Sequence, residues 1–230
     1  MPTSFLCGIH LRGRVEKTEA ARRLGACLPV IESHGLEPIE FAESAWRSAS
    51  GGLFGGTSLV HGDFAARTGD LLWGAGFTFV PAPEADATLI SMMTPGEPLG
   101  GGDDAWHWLT TFAEDLLDAI GADLGLINGF TIDPDGESVG GTPAGPEVAP
   151  GHPPEALLPW MYWGVNRLAE DGIVDGLRAL HETAFRSSGT PRGGWVLEAY
   201  DDYSSVPPSE LVAAYARELR VPEPVWMSVE

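Results

Sequence analysis

LLWGAGFTFVPAPEADATLISMM, residues Leu71–Met93, decides the fold class. Leu71–Val80 alternates in part between apolar side chains and glycine, alanine or threonine, the period of a strand with one covered face. Pro81 ends that run, because proline donates no hydrogen bond to a ladder. Thr88–Met93 (TLISMM) follows as a short apolar strand bounded by Pro83 and Pro95. With the glycine-flanked Leu53–His61 before it, the cadence is that of an antiparallel meander with turn-rich connections.

Towards the N-terminus, Ser4–Leu11 (SFLCGIHL) reads as a first strand with apolar residues on both faces. Glu16–His34 reads as a helix: Ala20, Leu24, Cys27, Leu28 and Ile31 recur at helical spacing, and Gly35 closes it. Pro29 implies a kink or an end near residue 28. Towards the C-terminus, Asp103 and Asp104 stand just before a strong helical pattern, Ala105–Ile120, where acids suit the helix dipole. Trp108, Phe112, Leu116 or Leu117, and Ile120 form its stripe; Trp106 and Trp108 cannot share one face. Glu114, Asp115 and Asp118 crowd its C-terminal half, where the dipole disfavours them.

Leu124–Ile132 is the next expected strand, and residues 133–158 read as a long exposed acidic loop rather than a linker. Trp160–Trp163 is a short aromatic segment; within Val165–Phe185, Val174, Leu177, Leu180 and His181 fit a helix while Gly172 and Gly176 count against it; and Trp195–Tyr200 is the last strand. Pro208 leads a final helix, Ser209–Leu219. The expected architecture is a single α+β domain over residues 1–230. It has a mostly antiparallel sheet with helices 16–28, 105–120 and 209–219 packed on it, either as two related halves or as one mixed sheet with helices on one face.

Charge is distributed unevenly along this chain. Between Thr68 and Asn166 there is no lysine or arginine, yet there are fifteen carboxylates, which supply most of the net charge of −20. An acidic proteome or ordinary solubility accounts for the excess of acids but less well for their segregation from the cations in the flanks. Such a block projects a negative potential that steers basic partners. It argues against nucleic-acid binding, which needs phosphate-neutralising cations.

Apolar content of 43% with eight tryptophans is globular rather than disordered. Cys7 and Cys27, the only two cysteines, suggest free buried thiols rather than a disulfide framework. The opening residues lack a basic region followed by a long apolar one, so no signal peptide is expected. No apolar run reaches the roughly eighteen residues of a membrane span. The expectation is a soluble cytoplasmic protein.

Catalytic motifs are absent. SGGLFGG at 50–56 and PLGGGDD at 98–104 lack both the P-loop lysine and the dinucleotide-binding spacing. His181–Phe185 (HETAF) starts like a zinc-protease motif but ends in phenylalanine. Asp133-Pro-Asp135-Gly-Glu137 lacks the calcium-loop spacing. The six histidines are scattered, no Gly-x-Ser-x-Gly elbow occurs, and neither a metal nor a cofactor is expected.

LLPWMYWG at 157–164, GGWVLEAYDD at 193–202 and the closing YARELRVP at 215–222 resemble bacterial immunity proteins of polymorphic and type VI toxin systems, in particular the group called immunity protein 52. The resemblance implies a non-enzymatic α+β protein that binds and neutralises a cognate toxin, often a nuclease. On that reading the acidic face occludes a basic toxin. Asp103, Asp104, Glu114, Asp115, Asp118, Asp133, Asp135 and Glu137 would supply exposed charge, and Trp160 and Tyr162 would be aromatic anchors at the edge. Two other readings stand beside it: a hydrolase or metal-dependent enzyme whose site assembles only in the fold, and a non-catalytic scaffold.

Overall fold

A computed structural model of the chain describes residues 4–12, 22–23, 26–38, 47–50, 58–68, 71–81, 87–95, 103–132, 138–139, 153–199, 207–222 and 224–226, with side chains described for 22–23, 26–27, 29–35, 106–127, 153–199, 207–222 and 224. The elements in chain order are β1 (Ser4–Arg12), α1 (Leu28–Ser33), β2 (Leu36–Pro38), β3 (Arg47–Ser50), β4 (Ser58–Thr68), β5 (Leu71–Pro81) and β6 (Ala87–Pro95). Then come α2 (Asp103–Ile120), β7 (Leu124–Ile132), β8 (Ser138–Val139), β9 (Ala156–Leu157), β10 (Trp160–Trp163), α3 (Val165–Asp171) and α4 (Val174–Ala179). A 3-10 turn at Leu180–Glu182, β11 (Arg186–Gly189), β12 (Trp195–Glu198), α5 (Ser209–Leu219) and β13 (Val225–Trp226) complete the chain.

The fold is α+β. One sheet runs in the order β11-β12-β10-β7-β1-β6-β5-β4-β2, with β3 also on β4 and β8 on β7. Every pairing in it is antiparallel; β13 and β9 form a separate parallel pair. The meander of Leu71–Met93 is present as β5 and β6, with Phe79 opposite Ile90. β1 is central, Gly8 lying opposite Ser91 of β6 on one side and Leu126 of β7 on the other. Since β6 and β7 are both antiparallel to β1, they are parallel to each other. The chain must therefore cross over between them, and α2 is that crossover.

Helices cover both faces of the β7-β10-β12 region, so of the two expected arrangements the mixed sheet with helices on one face does not hold there. Side chains alternate across a strand. Met161 and Trp163 of β10 therefore join Leu124, Leu126 and Leu197 in a cluster with Leu168, Leu177, Leu211, Tyr215 and Leu219 of α3, α4 and α5. Tyr162 of β10 points the other way and bonds to Asp118 of α2. A strand apolar at every position, WMYW, needs cover on both faces, and it has it.

On the α2 face, Trp106, Leu109, Phe112, Ala113, Leu116, Leu117 and Ile120 are buried. Of the two competing tryptophans, Trp106 enters the core, while Trp108 is half-buried and stacks on Phe112 at 5.1 Å between ring centroids. The helix begins at Asp103, two residues before the expected start, so Asp103 and Asp104 lie in its first turn rather than ahead of it. Acids are favoured there by the dipole.

On the other face, α4 crosses α5 closely: a Cβ on Gly176 would lie 2.6 Å from the Glu218 carbonyl oxygen. Only glycine permits that approach. Arg167 and Asp171, one turn apart on α3, form a buried ion pair at 2.7 Å. Tyr215 donates a 2.7 Å hydrogen bond to the Pro154 carbonyl. That bond fixes the end of the acidic loop to α5. Leu157 and Leu158 then enter the core. The part of 133–158 nearest β10 is thus packed structure, and residues 133–137 lie outside the described residues.

Residues 16–21 and 24–25 of the expected helix Glu16–His34 lie outside the described residues, and the described part is interrupted before Leu28. Arg22–Arg23 and Leu28–Ser33 are helical, and Pro29 occupies the first turn of α1. The first turn is where a missing N–H leaves no bond unmade. Cys27 is buried and free, its thiol donating to the Arg23 carbonyl at 3.5 Å. Cys7 stands in β1, and its side chain lies outside the described residues.

Candidate binding face on the central helix

The acids of α2 find partners far along the chain: an arginine for Glu114, a histidine for Asp115 and two hydroxyls for Asp118. Glu114 accepts a 2.7 Å ion pair from Arg186 of β11 and is 12% exposed. Asp115 is 53% exposed and lies 2.8 Å from His34 Nε2, just beyond α1. The His34 ring is itself wedged edge-on against Phe112 at 5.2 Å and Trp108 at 6.0 Å. Asp118 Oδ1 accepts from the Tyr162 phenol at 2.7 Å and from Thr190 Oγ1 at 3.1 Å. The ninety-nine-residue block holds no cation of its own, but folding brings in partners 72 to 81 positions away.

The chain's flanks answer the dipole problem at the end of α2. Arg192 Nη1 donates to the Asp118 carbonyl at 3.0 Å, and Arg23 Nη1 lies 3.5 Å from the Ile120 and Gly121 carbonyls. Cations beside unsatisfied C-terminal carbonyls are favourable by about 0.3–1 kcal/mol each. They offset the three acids nearby.

Two predicted anchors change role. Trp160 and Tyr162 were expected at an exposed edge, but both are buried in the sheet beneath α2. Trp160 stacks on Tyr162 at 6.4 Å between ring centroids. The reason is position: β10 lies between β7 and β12, so an aromatic on it meets a helix layer on either side. Burial, the Asp118 hydrogen bond and the Asp118 and Glu114 charges all push the Tyr162 phenol up, against a smaller opposing effect of Arg192. Glu114 and Asp118, expected as free surface charge, serve internal packing. Asp115 remains largely exposed. The Asp103 and Asp104 side chains, and Asp133, Asp135 and Glu137 altogether, lie outside the described residues.

No sequence motif marks Glu198 of β12. It is 3% exposed and lies on the α2 side of the sheet, since Glu198 and Val196 stand opposite Trp160 and Tyr162 of β10 and Tyr162 bonds to α2. Its signal was a carboxylate inside the apolar run WVLEAY, two positions from Val196 on the same face. Among the described residues, no three His, Cys, Asp or Glu side chains gather as a metal site. Nor is any helix there long and apolar enough to cross a membrane.

No protein-family profile matches the sequence, and no curated protein matches it. Among solved structures, the T6SS protein PA0821 of Pseudomonas aeruginosa is similar in fold. The match has a TM-score of 0.50 at 12% identity and covers 96% of this chain and 73% of that one.

Proposed function

We propose that this chain is an immunity protein of a bacterial type VI secretion setting, which binds a basic cognate toxin and neutralises it by covering the toxin's working surface. The observation that carries the reading is the fold likeness to a T6SS protein over 96% of the chain. The segregated charge supports it. A chain of net charge −20 suits a cationic partner, and a nuclease is the fitting class because a surface built for phosphates is itself cationic.

The contacts on α2 divide the candidate residues. Glu114 and Asp118 hold the helix to the sheet, so partner recognition falls to Asp115, Asp103 and Asp104 with Asp133, Asp135 and Glu137. Rim charges of this kind raise the association rate more than the lifetime of a complex.

The test is association with the product of any adjacent toxin-like gene, measured from low to high salt. We expect the triple variant Asp103→Asn, Asp104→Asn, Asp135→Asn to associate about tenfold more slowly at low salt. That difference should shrink as the Debye length falls below about 8 Å. An on-rate indifferent to salt and to the three substitutions removes the electrostatic mechanism. Failure to bind, or to protect cells from, any neighbouring gene product removes the immunity reading.

A further inference from the structure

Glu198 is a buried carboxyl on a strand whose cross-strand neighbours are Trp160 on one side and Arg186 on the other. Arg186 is the one cation in its surroundings from β11. That guanidinium is already engaged, its Nη2 on Glu114 at 2.7 Å and its Nε on Ser188 Oγ at 3.0 Å. From α2, Trp106, Glu114 and the exposed His107 act on the group. Two carboxylates and one arginine thus share the junction between α2 and the β11–β12 hairpin, which forms one edge of the sheet.

We propose that Glu198 is a proton-operated latch at this edge. Neutral, it leaves Arg186 committed to Glu114 and holds the hairpin against α2; ionised, it competes for Arg186 and loosens the hairpin. The chemistry is a simple balance: the carboxyl O–H releases its proton to water, and the junction goes from net zero to one uncompensated negative charge. An ionised carboxylate buried beside a second one needs water or a second cation. Outward movement of the hairpin would admit that water.

Burial is the largest influence on the Glu198 carboxyl and raises it above the ordinary glutamate range, with Glu114 adding to the rise. Arg186 and the neighbouring α2 groups Trp106 and His107 oppose it, and the net direction is upward. A raised carboxyl contributes stability that is complete below the ordinary value of about 4.3 and is lost as pH climbs through the raised one. The latch therefore closes on the acid side and opens on the alkaline side.

Amide hydrogen exchange on the purified full-length chain tests this, scanned from about pH 5 to pH 9 and corrected for base-catalysed chemical exchange. Protection of the Arg186–Gly189 amides should fall by up to about tenfold per pH unit relative to those of α5, the slope that one released proton produces. Glu198→Gln should abolish that fall. Glu114→Gln should also flatten it, because Arg186 is then free to compensate an ionised Glu198, and it carries the test if the first variant does not fold. A flat wild-type profile overturns the latch. So does a Glu198→Gln variant that keeps the wild-type slope while merely losing stability.

Discussion

The Tyr162 phenol donates a 2.7 Å hydrogen bond to Asp118 Oδ1, joining the middle strand of the C-terminal sheet region to the acidic helix above it. Donor and acceptor are 44 positions apart, and the donor is buried. This bond shows how α2 tolerates its own charge: each acid on the inner side has a partner supplied by β10, β11 or the turn after it. Tyr162→Phe removes the donor and leaves Asp118 with Thr190 alone. Hydrogen bonds to charged groups contribute about 1.5–3 kcal/mol, and Asp118 is only half-buried, so the expected cost is about 1–2 kcal/mol. Urea unfolding of the variant at neutral pH measures it; a loss below a few tenths would mean water replaces the phenol.

Arg220 ends α5 in the left-handed conformation at φ 59°, the one residue other than glycine with positive φ among those described. Its amide still bonds to the Ala216 carbonyl, so the turn itself is well formed. A side chain there costs backbone strain that glycine does not incur. Arg220 is exposed, and nothing in the core depends on it. Arg220→Gly should raise the unfolding free energy by about 0.5–1 kcal/mol, read as a higher urea midpoint at unchanged slope. A lower midpoint would mean that the arginine's charge at the helix C-terminus outweighs the strain.

Some of this architecture was legible because it is local. Ser209–Leu219 has a leading proline and a clean inward stripe, and the structure starts and ends it there. Leu124–Ile132 and Trp160–Trp163 are likewise strands at their expected bounds. Val165–Phe185 was obscure for a local reason too. Gly172 takes a left-handed turn at φ 63° and divides the segment into pieces of seven and six residues, too short to show a period. β11, RSSG, is polar and became a strand only because β12 pairs with it.

The candidate site was legible in part. Sequence spacing showed the acids of α2 clustering at 114–118, but not which of them would remain free. Arg186 reaches Glu114 from 72 positions away, and Arg23 reaches the end of α2 from 97. No spacing rule connects such pairs; the strand order does. The same order buries Trp160 and Tyr162, whose aromatic chemistry alone suited an interface equally well.

Cys27 gives a pH-dependent prediction. Its side chain is fully buried in the residues leading into α1, and burial pushes the thiol up to about 12. An ordinary thiol titrates near 8.5. The folded state therefore favours the protonated form, and the sign follows: no stability is lost below the ordinary value, and stability falls as pH rises between the ordinary and the raised values. At pH 10, about 1.5 units into that window, the loss should be about 2 kcal/mol. In a Cys7→Ser background, urea unfolding at pH 8 and pH 10 should show this decline, and additional Cys27→Ala should remove the thiol's share of it. The same background should react with a thiol-specific reagent at pH 8 only at the rate of unfolding, since the thiolate is the reactive species and the sulfur is covered. Rapid labelling of the native protein, or an identical pH decline in the Cys27→Ala variant, would refute the assignment.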